Sequence, residues 1–295
     1  MWKAFLVIII VTLFLIACNN TKQYKSDGKA DDNTEILGGD MFISPIIEND
    51  TSLVFSFSGD FECKVNFILP KDTIKGSILL LHGWNLPAMQ WCDSTYFCDN
   101  ATKRNYALVI PNLEKCNYPL HIYPETLEQY KKYPSLTWIM DSLLVEISEQ
   151  TALLTEGHKN FVAGISTGGR GASLLSFYMP EMFTACASIS GDFNITVMKD
   201  EYLYNAWFGP YHKFEDRWKN ECFAYRCQEY CVPSYIGHGK KDNISPVSQS
   251  MAMYDSIQTY HPEMPLVGNF PDDAYHDYNY WKSETNNILD FFDSF

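Results

Sequence analysis

The residues with the clearest chemical potential lie at 161–179, where the 295-residue chain reads FVAGISTGGRGASLLSFYM. Within this stretch, Gly164-Ile165-Ser166-Thr167-Gly168 fits the pattern G-x-S-x-G between an apolar strand and a helix of small and apolar residues. A serine on such a sharp turn carries its hydroxyl above the edge of the sheet, and the flanking glycines leave room for neighbouring backbone. The helix that follows would direct its first N–H groups toward a developing oxyanion. The motif alone also fits a glycine-rich turn with an incidental serine, so the rest of the chain must decide.

A nucleophilic serine needs a general base, and the base needs an anion that orients it. Asp242 and then His276 follow Ser166 along the chain, and each of the three comes just after a predicted strand. Because the carboxyl ends of parallel strands meet at one edge of a sheet, we expect these side chains to converge. Asp192, after the strand that follows Ser166, is the alternative acid, and we favour Asp242 over it. Three more carboxylates near the histidine fit solvated loop positions: Asp272, Asp273 and Asp277.

The elements that must position these residues form an α/β pattern. Alternating apolar residues at 53–57 and 61–69 predict an antiparallel hairpin. Further strands are predicted at 77–81, 105–110, 161–163, 183–190, 232–236 and 266–270, several of them continuous apolar runs that suit a sheet covered on both faces. Helices are predicted at 135–150, where Ser135 can act as the cap, and at 245–260 and 278–292. The sequence therefore predicts a mostly parallel, twisted sheet with helices on both faces.

Residues 195–231 break this alternation with a concentration of aromatic side chains. The segment contains Tyr202, Tyr204, Trp207, Phe208, Tyr211, Phe214 and Trp218, together with three cysteines. We interpret it as a cap inserted over the edge of the sheet. Its rings could stack on a sugar or an aryl acid, although a place in the cap's own core is the favoured interpretation for any single residue.

Composition excludes some classes of function. Hydrophobic residues make up 46% of the chain, as in a globular protein. A formal net charge of −14 argues against nucleic acid as a partner, because nothing would offset phosphate repulsion. Cys63 and Cys186 lie in apolar patterns and are predicted core thiols. Six cysteines in or near loops are disulfide candidates: Cys92, Cys98, Cys116, Cys222, Cys227 and Cys231. The last three are too loosely spaced for zinc, with no histidine pair nearby, so neither metal nor cofactor is expected.

The N-terminus has the pattern of a targeting signal. Lys3 precedes an apolar run at 4–17, interrupted by Thr12 alone and too short to span a bilayer comfortably, and Cys18 follows it directly. Leu15-Ile16-Ala17-Cys18 resembles the bacterial lipobox. The resemblance implies a signal peptide at 1–17, acyl chains on Cys18, a polar tether at 18–40, and a bacterial cell-envelope protein outside the cytoplasm that meets the membrane through its lipid alone. The alternative is an ordinary cleaved signal with a chance cysteine.

Five stretches together resemble one superfamily. They are Leu81-His82-Gly83-Trp84, Gly164 to Gly171, Gly237-His238-Gly239-Lys240-Lys241-Asp242, Pro246 to Ser250, and Ala274-Tyr275-His276-Asp277-Tyr278. Over about residues 55–295, the chain resembles the α/β-hydrolase superfamily, nearest its small esterases of the putative-esterase and prolyl-oligopeptidase-like branches. The resemblance implies a hydrolase domain over 41–295.

The resemblance also implies roles for individual residues. Ser166 would attack the carbonyl, His276 would accept and return the proton, and Asp242 would orient the imidazole. The backbone N–H groups of Thr167 and Trp84 would form the oxyanion hole, the second with less support because the His-Gly-Gly-Gly stretch of some esterases is missing.

Four more residues near the strand ends have predicted places. His82 and His238 are interpreted as structural histidines that hold their loops. Trp84 and Trp91 are expected to line the pocket, and Arg170 could either contact the substrate or, as we favour, pair with a carboxylate.

The leading hypothesis is a serine carboxylesterase that acts on a small-molecule or glycan ester. The alternatives are a serine peptidase of the prolyl-oligopeptidase type and a hydrolase-like binding module without turnover. The intact set of Ser166, Asp242 and His276, together with the glycines around the serine, argues against the binding module.

Overall fold

A single sheet of eight strands organises the part of the chain that the computed structural model describes, residues 43–58 and 61–295. The strands are β1 (Thr51–Ser58), β2 (Phe61–Ile68), β3 (Gly76–Leu81), β4 (Tyr106–Pro111), β5 (Asn160–Ile165), β6 (Ala185–Ile189), β7 (Ser234–Gly237) and β8 (Leu266–Asn269). Their order across the sheet is β1-β2-β4-β3-β5-β6-β7-β8. β1, β2 and β4 pair antiparallel, and all remaining neighbours pair parallel. The predicted α/β fold, including the antiparallel hairpin in front, is confirmed.

The central strands are apolar throughout because both faces of the sheet are covered. In β3, Leu79 and Leu81 belong to the core on one face, whereas Ile78 and Leu80 belong to the core on the other. Successive side chains of a strand point to opposite faces, so a strand buried on both sides needs apolar residues at every position.

Helices cover both faces and connect the parallel strands. They are α1 (Gln90–Ser94), α2 (Phe97–Lys103), α3 (Glu128–Lys131), α4 (Leu136–Trp138), α5 (Leu144–Thr151), α6 (Thr167–Tyr178), α7 (Tyr202–Phe208), α8 (Glu215–Asn220), α9 (Val247–Tyr260), α10 (Tyr278–Ser283) and α11 (Thr285–Asp293). A π-helical turn at Ile139–Leu143 joins α4 to α5, and short 3-10 helices lie at Ile195–Met198, Tyr211–Lys213, Phe223–Tyr225 and Cys227–Glu229.

Two predicted helices differ from the observed ones. The helix predicted at 135–150 is α4, the π turn and α5 in succession, and the Ser135 hydroxyl accepts a hydrogen bond from the Trp138 N–H at its start. The helix predicted at 278–292 is interrupted at Glu284, between α10 and α11. Glu284 is buried, and its carboxylate accepts hydrogen bonds from the Tyr235 hydroxyl and the Asn269 amide. Burial of this carboxylate against β7 and β8 accompanies the break.

The segment 195–231 is a set of short helices between β6 and β7, and its buried side chains join the core on one face of the sheet. Trp207, Phe208 and Trp218 are fully buried, and the Trp218 indole N–H donates to the Gly209 carbonyl at 2.9 Å. Tyr202, in contrast, is exposed. The favoured interpretation of these aromatic side chains as core holds for most of them.

The cysteines divide between the two predicted environments. Cys63 and Cys186 are buried thiols, as predicted, and burial raises the pKa of Cys63 to about 12 and that of Cys186 to about 11. Among the candidates for disulfides, Cys92 and Cys98 are bonded. Cys116, Cys222 and Cys227 are instead buried as thiols.

The predictions for the N-terminus fall outside the described residues. These are the signal peptide at 1–17, the lipidated Cys18 and the tether at 18–40, together with the turn at 59–60 of the predicted hairpin. Within 43–58 and 61–295, no helix combines the length and the apolar character needed to cross a bilayer.

Candidate active site

Ser166 stands on a strained turn between β5 and α6. Its backbone has φ 57° and ψ −128°, a combination that residues other than glycine rarely adopt. The Ser166 N–H donates to the Ile189 carbonyl of β6 at 2.8 Å, and the next residue already begins α6. The turn therefore holds the serine side chain at the carboxyl edge of the sheet, with the N-terminus of a twelve-residue helix directly behind it.

Glycines make this turn possible because backbone atoms come very close on both sides of the serine. A Cβ at Gly164 would lie 1.9 Å from the Gly168 carbonyl oxygen, and a Cβ at Gly168 would lie 2.4 Å from the Leu81 carbonyl oxygen. At Gly83, an added Cβ would stand 3.0 Å from the Cβ of Ser166. These contacts press the first turn of α6 against the end of β3, which places the loop after β3 beside the serine.

The structure brings Ser166, His276 and Asp242 into one hydrogen-bonded chain. His276 Nε2 lies 3.0 Å from Ser166 Oγ, and His276 Nδ1 lies 2.6 Å from Asp242 Oδ2. The three residues follow β5, β8 and β7, which are separated in sequence but end at the same edge of the sheet. Trp281 packs edge-on against the imidazole, with ring centroids 5.3 Å apart. This geometry suits transfer of the serine proton to Nε2 while Nδ1–H stays on the carboxylate.

Asp242 is held as an anion by four donors. Burial opposes its ionisation, but hydrogen bonds from His238 and His276 outweigh that effect and hold the pKa of Asp242 well below its usual range. The other oxygen, Oδ1, accepts the backbone N–H groups of Ile244 at 2.8 Å and Ser245 at 2.9 Å. An ionised carboxylate with this set of donors can fix the tautomer of His276 and stabilise its protonated form.

The loop after β3 is fixed by a neutral histidine. His82 Nε2 accepts the Leu113 N–H at 2.9 Å, so the ring proton sits on Nδ1 and donates to the Gly83 carbonyl at 2.7 Å. Burial lowers the pKa of His82 to about 4, which keeps this tautomer uncharged near neutral pH. The interpretation of His82 as a structural histidine is confirmed, and the loop it holds carries Trp84.

A cavity of about 610 Å³ opens in front of the serine. Ser166, Thr167, Trp84 and His276 are all on its wall. The remaining lining residues are Leu86, Asp192, Met198, Glu201, Leu203, Tyr204, Asn243, Ile244, Ser245, Asp277, Tyr278 and Trp281. The wall is thus largely apolar and aromatic, with a few convergent polar groups, as is typical of small-molecule sites.

Two predicted pocket residues are not part of this wall. Trp91 is buried on the opposite face of the sheet, where it packs on Phe97 with ring centroids 5.0 Å apart. Arg170 is fully buried in α6, and its Nε lies 3.8 Å from Asp192 Oδ2. The prediction that they line the pocket was wrong for both, whereas pairing of Arg170 with a carboxylate is confirmed.

Asp192, the alternative acid, has a different environment from Asp242. It lines the cavity and accepts a hydrogen bond from the Tyr204 hydroxyl, with Arg170 close by. Burial raises the pKa of Asp192 above its usual value, although Arg170 opposes the shift. His276 forms its carboxylate hydrogen bond with Asp242 instead. The geometry therefore favours Asp242 as the orienting acid.

Sequence reasoning raised Tyr204 as a possible stacking residue but did not find the other residues that the inserted segment contributes to the cavity. Met198, Glu201, Leu203 and Tyr204 all come from its first part, directly after the strand that follows the serine turn. Their position after a parallel strand's carboxyl end was the available signal, because such ends form the binding edge of these sheets. Trp281 was also missed, although it lies on α10, the helix that starts just beyond His276.

Comparison with known proteins agrees with this geometry. Residues 58–292 match the family model described as putative esterase. The chain belongs to the putative esterase family. It is accordingly a serine hydrolase that cleaves esters. No curated protein matches the putative esterase described here at a significant level.

Solved structures show the same α/β-hydrolase fold as this putative esterase. FphF, a fluorophosphonate-binding serine hydrolase of Staphylococcus aureus, has a TM-score of 0.60 at 17% identity and covers 83% of this chain and 99% of its own. An S-formylglutathione hydrolase from Agrobacterium tumefaciens has a TM-score of 0.67 at 14% identity, covering 85% of this chain and 98% of its own. A ferulic acid esterase has a TM-score of 0.60 at 16% identity, covering 83% and 97%.

The close approach at Gly168 predicts a large effect of one methyl group. Gly168→Ala should lower the free energy of unfolding by about 3 kcal/mol, because its Cβ would meet the backbone oxygens of Leu81 and His82. Gly157→Ala is the control, since nothing lies within 4 Å of its added Cβ and only its φ of 85° opposes the change. We expect about 1 kcal/mol there. Urea unfolding followed by tryptophan fluorescence measures both, and equal losses would contradict the steric explanation.

Proposed function

We propose that the protein is an extracytoplasmic serine carboxylesterase that hydrolyses an uncharged small-molecule or glycan ester through an acyl-enzyme. The observation that carries this proposal is the continuous hydrogen-bonded chain from Ser166 through His276 to Asp242 beside a cavity of about 610 Å³. Membership of the putative esterase family supports the same reaction class. A ferulic acid esterase with the same fold acts on an ester of the aryl type that the sequence suggested.

Acylation begins with attack of Ser166 Oγ on the ester carbonyl carbon. His276 Nε2 takes the hydroxyl proton as the new C–O bond forms, and the carbonyl π electrons move onto the oxygen. Asp242 stabilises the resulting imidazolium through Nδ1–H. When the tetrahedral intermediate collapses, the bond to the leaving oxygen breaks, and that oxygen receives the proton from Nε2. The product is an alcohol and an acyl group bonded to Ser166.

Deacylation repeats these steps with water as the nucleophile. His276 Nε2 accepts a proton from the water, whose oxygen attacks the acyl carbon, and then returns that proton to Ser166 Oγ as the acid leaves. Both tetrahedral intermediates carry a negative oxygen. The Thr167 N–H, at the first position of α6, and the Trp84 N–H, on the loop held by His82, are the proposed donors to it.

Charge on the cavity wall limits the substrate class. Glu201 supplies an exposed carboxylate to the wall. The Asp277 carboxylate accepts the Asn279 and Tyr280 N–H groups at the start of α10, and Asp192 is offset by Arg170 behind it. Among the described residues that line the cavity, His276 is the one basic side chain. An anionic substrate would lose hydration without gaining a partner, whereas hydroxyl groups could donate to these oxygens. Trp84, the hydrophobic wall and these acceptors together favour a neutral ester with an apolar or aryl part and free hydroxyls.

The location outside the cytoplasm rests on the lipobox-like sequence before Cys18. Two or more acyl chains on one cysteine provide stable anchoring to a bilayer. The polar stretch at 18–40 would then separate the hydrolase domain from the membrane surface. The proposed substrate is therefore a soluble or envelope-bound ester outside the cytoplasm.

The roles in the hydrogen-bonded chain predict a hierarchy of losses. Ser166→Ala should abolish labelling by a fluorophosphonate probe and hydrolysis of 4-nitrophenyl acetate by the full chain in detergent. Asp242→Asn should lower kcat by about 10⁴-fold, because the wrong tautomer of His276 is favoured. Asp192→Asn, the matched control, should retain kcat within about tenfold, since that carboxylate makes no hydrogen bond to the imidazole.

Two results would overturn these assignments. Labelling that survives Ser166→Ala would place the nucleophile elsewhere. Full activity of Asp242→Asn with an inactive Asp192→Asn would transfer the orienting role to Asp192. Cleavage of alanyl or prolyl 4-nitroanilides as fast as the esters would favour the peptidase alternative instead.

The charge of the cavity predicts discrimination between two substrates of the same length. We expect kcat/KM for 4-nitrophenyl hexanoate to exceed that for the 4-nitrophenyl monoester of adipic acid by at least about tenfold at low salt. Glu201→Gln removes one exposed carboxylate of the wall and should narrow the ratio by about twofold to threefold. Equal kcat/KM values for the two substrates in the unaltered protein would exclude a charge filter at this cavity.

The proposed lipid anchor predicts that the protein leaves the membrane fraction when the sulfur of Cys18 is replaced by oxygen. The full chain expressed in a bacterium should incorporate labelled palmitate and sediment with membranes, and Cys18→Ser should do neither. Asn20→Ala, two residues further on, is the control and should behave as the unaltered protein. Palmitate label that persists in Cys18→Ser would show that another residue carries it.

A further inference from the structure

A second histidine contacts the carboxylate of Asp242. His238 Nε2 lies 3.0 Å from Asp242 Oδ2, the same oxygen that accepts His276 Nδ1–H at 2.6 Å. His238 Nε2 also lies 2.9 Å from the Ser245 carbonyl oxygen, and its Nδ1 lies 2.7 Å from Ser250 Oγ. His238 and Ser250 are fully buried, so the ring has no access to solvent.

The surroundings of His238 define its tautomer. Both neighbours of Nε2, Asp242 Oδ2 and the Ser245 carbonyl oxygen, can only accept, so Nε2 must carry a hydrogen. The Ser250 hydroxyl can then donate to Nδ1 of the neutral ring. The result is a directed chain in which Ser250, on α9, holds His238, and His238 donates to Asp242.

Both oxygens of Asp242 are therefore held by donors, but by donors of different kinds. Oδ1 accepts two backbone N–H groups of its own turn, which any residue other than proline at 244 and 245 would supply. Oδ2 accepts two imidazole N–H groups, one from His238 and one from His276. His238 thus acts on the oxygen that orients His276, and the loop backbone does not.

We propose that His238 is a positioning residue, which aims Asp242 Oδ2 at His276 and shares the negative charge of that oxygen between two N–H donors. This inference rests on the proposed esterase function of Ser166. The sequence suggested only that His238 holds its loop, and the positioning of Asp242 is a further role. The role is exercised through Asp242, since His238 is not among the residues that line the cavity.

Charge sharing has a definite sign in the pH profile. Without the His238 N–H, the negative charge of Asp242 Oδ2 acts on His276 alone, and the imidazolium form of His276 becomes more stable. Since the free base is the active form, the acid limb of kcat/KM should move to higher pH. The titratable groups facing Asp242 and His276 include the buried Asp192 with Arg170, the hydroxyl of Tyr280, and the cavity carboxylates of Glu201 and Asp277. The exposed Lys240 and Lys241 pair with Asp272 and Asp273.

Two polar substitutions separate the contacts of His238. The amide of His238→Gln reaches the position of Nε2, and its two hydrogens can donate to Asp242 Oδ2 and the Ser245 carbonyl. The shorter amide of His238→Asn reaches only the position of Nδ1, so it can keep the Ser250 contact but loses the one to Asp242. Both place an amide in the same buried site, so the cost of burying a polar group is matched.

The experiment measures kcat, KM and the acid limb of kcat/KM for 4-nitrophenyl acetate, with the full chain in detergent and rates divided by fluorophosphonate-titrated sites. We expect His238→Asn to lower kcat per site by about tenfold with KM within about twofold, and to raise the acid limb by about half a pH unit or more. His238→Gln should restore both. A merely structural role would reduce the number of titrated sites and leave kcat per site and the acid limb unchanged, and that result overturns the proposal.

If the His238→Asn variant fails to fold, a second variant still tests the proposal. Ser250→Ala takes away the hydroxyl that orients His238 and leaves the imidazole in place, so it should move the acid limb in the same direction by a smaller amount. An unmoved limb in a folded Ser250→Ala overturns the proposal as well. Failure of the proposed function is distinguishable, because it would appear as labelling and activity that persist in Ser166→Ala.

Discussion

The site depends on one steric constraint, the absence of room for a side chain where α6 meets the ends of β3 and β5. Carbonyl oxygens lie so close to Gly164 and Gly168 that a methyl group at either position would displace backbone. This approach holds Ser166 at a positive φ and brings the loop of Gly83 to its side. Strain at the serine is therefore maintained by the packing of three elements around it, as expected for a functional turn that its surroundings over-determine. The proposed nucleophile Ser166, the first N–H of the helix and the loop of Trp84 are positioned by the same contact.

The two buried carboxylates near the site, those of Asp242 and Asp192, have different electrostatic environments. Asp242 has four N–H donors and stays ionised beside His276. Asp192 has a tyrosine hydroxyl and a guanidinium at 3.8 Å, and burial raises its pKa. Hydrogen bonding to the charged form accounts for the first environment and desolvation dominates the second. Both residues follow a strand of the sheet, so the number of hydrogen-bond donors to the carboxylate is what distinguishes them.

The sequence was informative where short-range patterns decide the structure. Continuous apolar runs identified the central strands, and the order of Ser166, Asp242 and His276 after three of them identified the residues that meet. It was uninformative where orientation depends on tertiary packing. Trp84 and Trp91 both follow β3, but Trp91 lies on a short helix that turns it to the opposite face, against Phe97. Arg170 lies one turn beyond the serine, and its rotation about the helix axis sends it inward to Asp192. The residues that the insertion adds to the cavity have no periodicity to reveal them, because they come from a 3-10 turn, a connecting segment and the start of a short helix.

The inserted segment between β6 and β7 has a consequence for how such a protein can diversify. Its buried aromatic residues join the core on one face of the sheet, while its first residues, among them Met198, Leu203 and Tyr204, form one side of the cavity. The proposed reacting side chains, Ser166, Asp242 and His276, come from the ends of β5, β7 and β8 and not from this segment. Changes in its length or sequence can therefore reshape what the cavity accepts while the bond-breaking apparatus is retained. In this architecture, substrate preference can therefore evolve independently of the residues proposed to carry out the reaction.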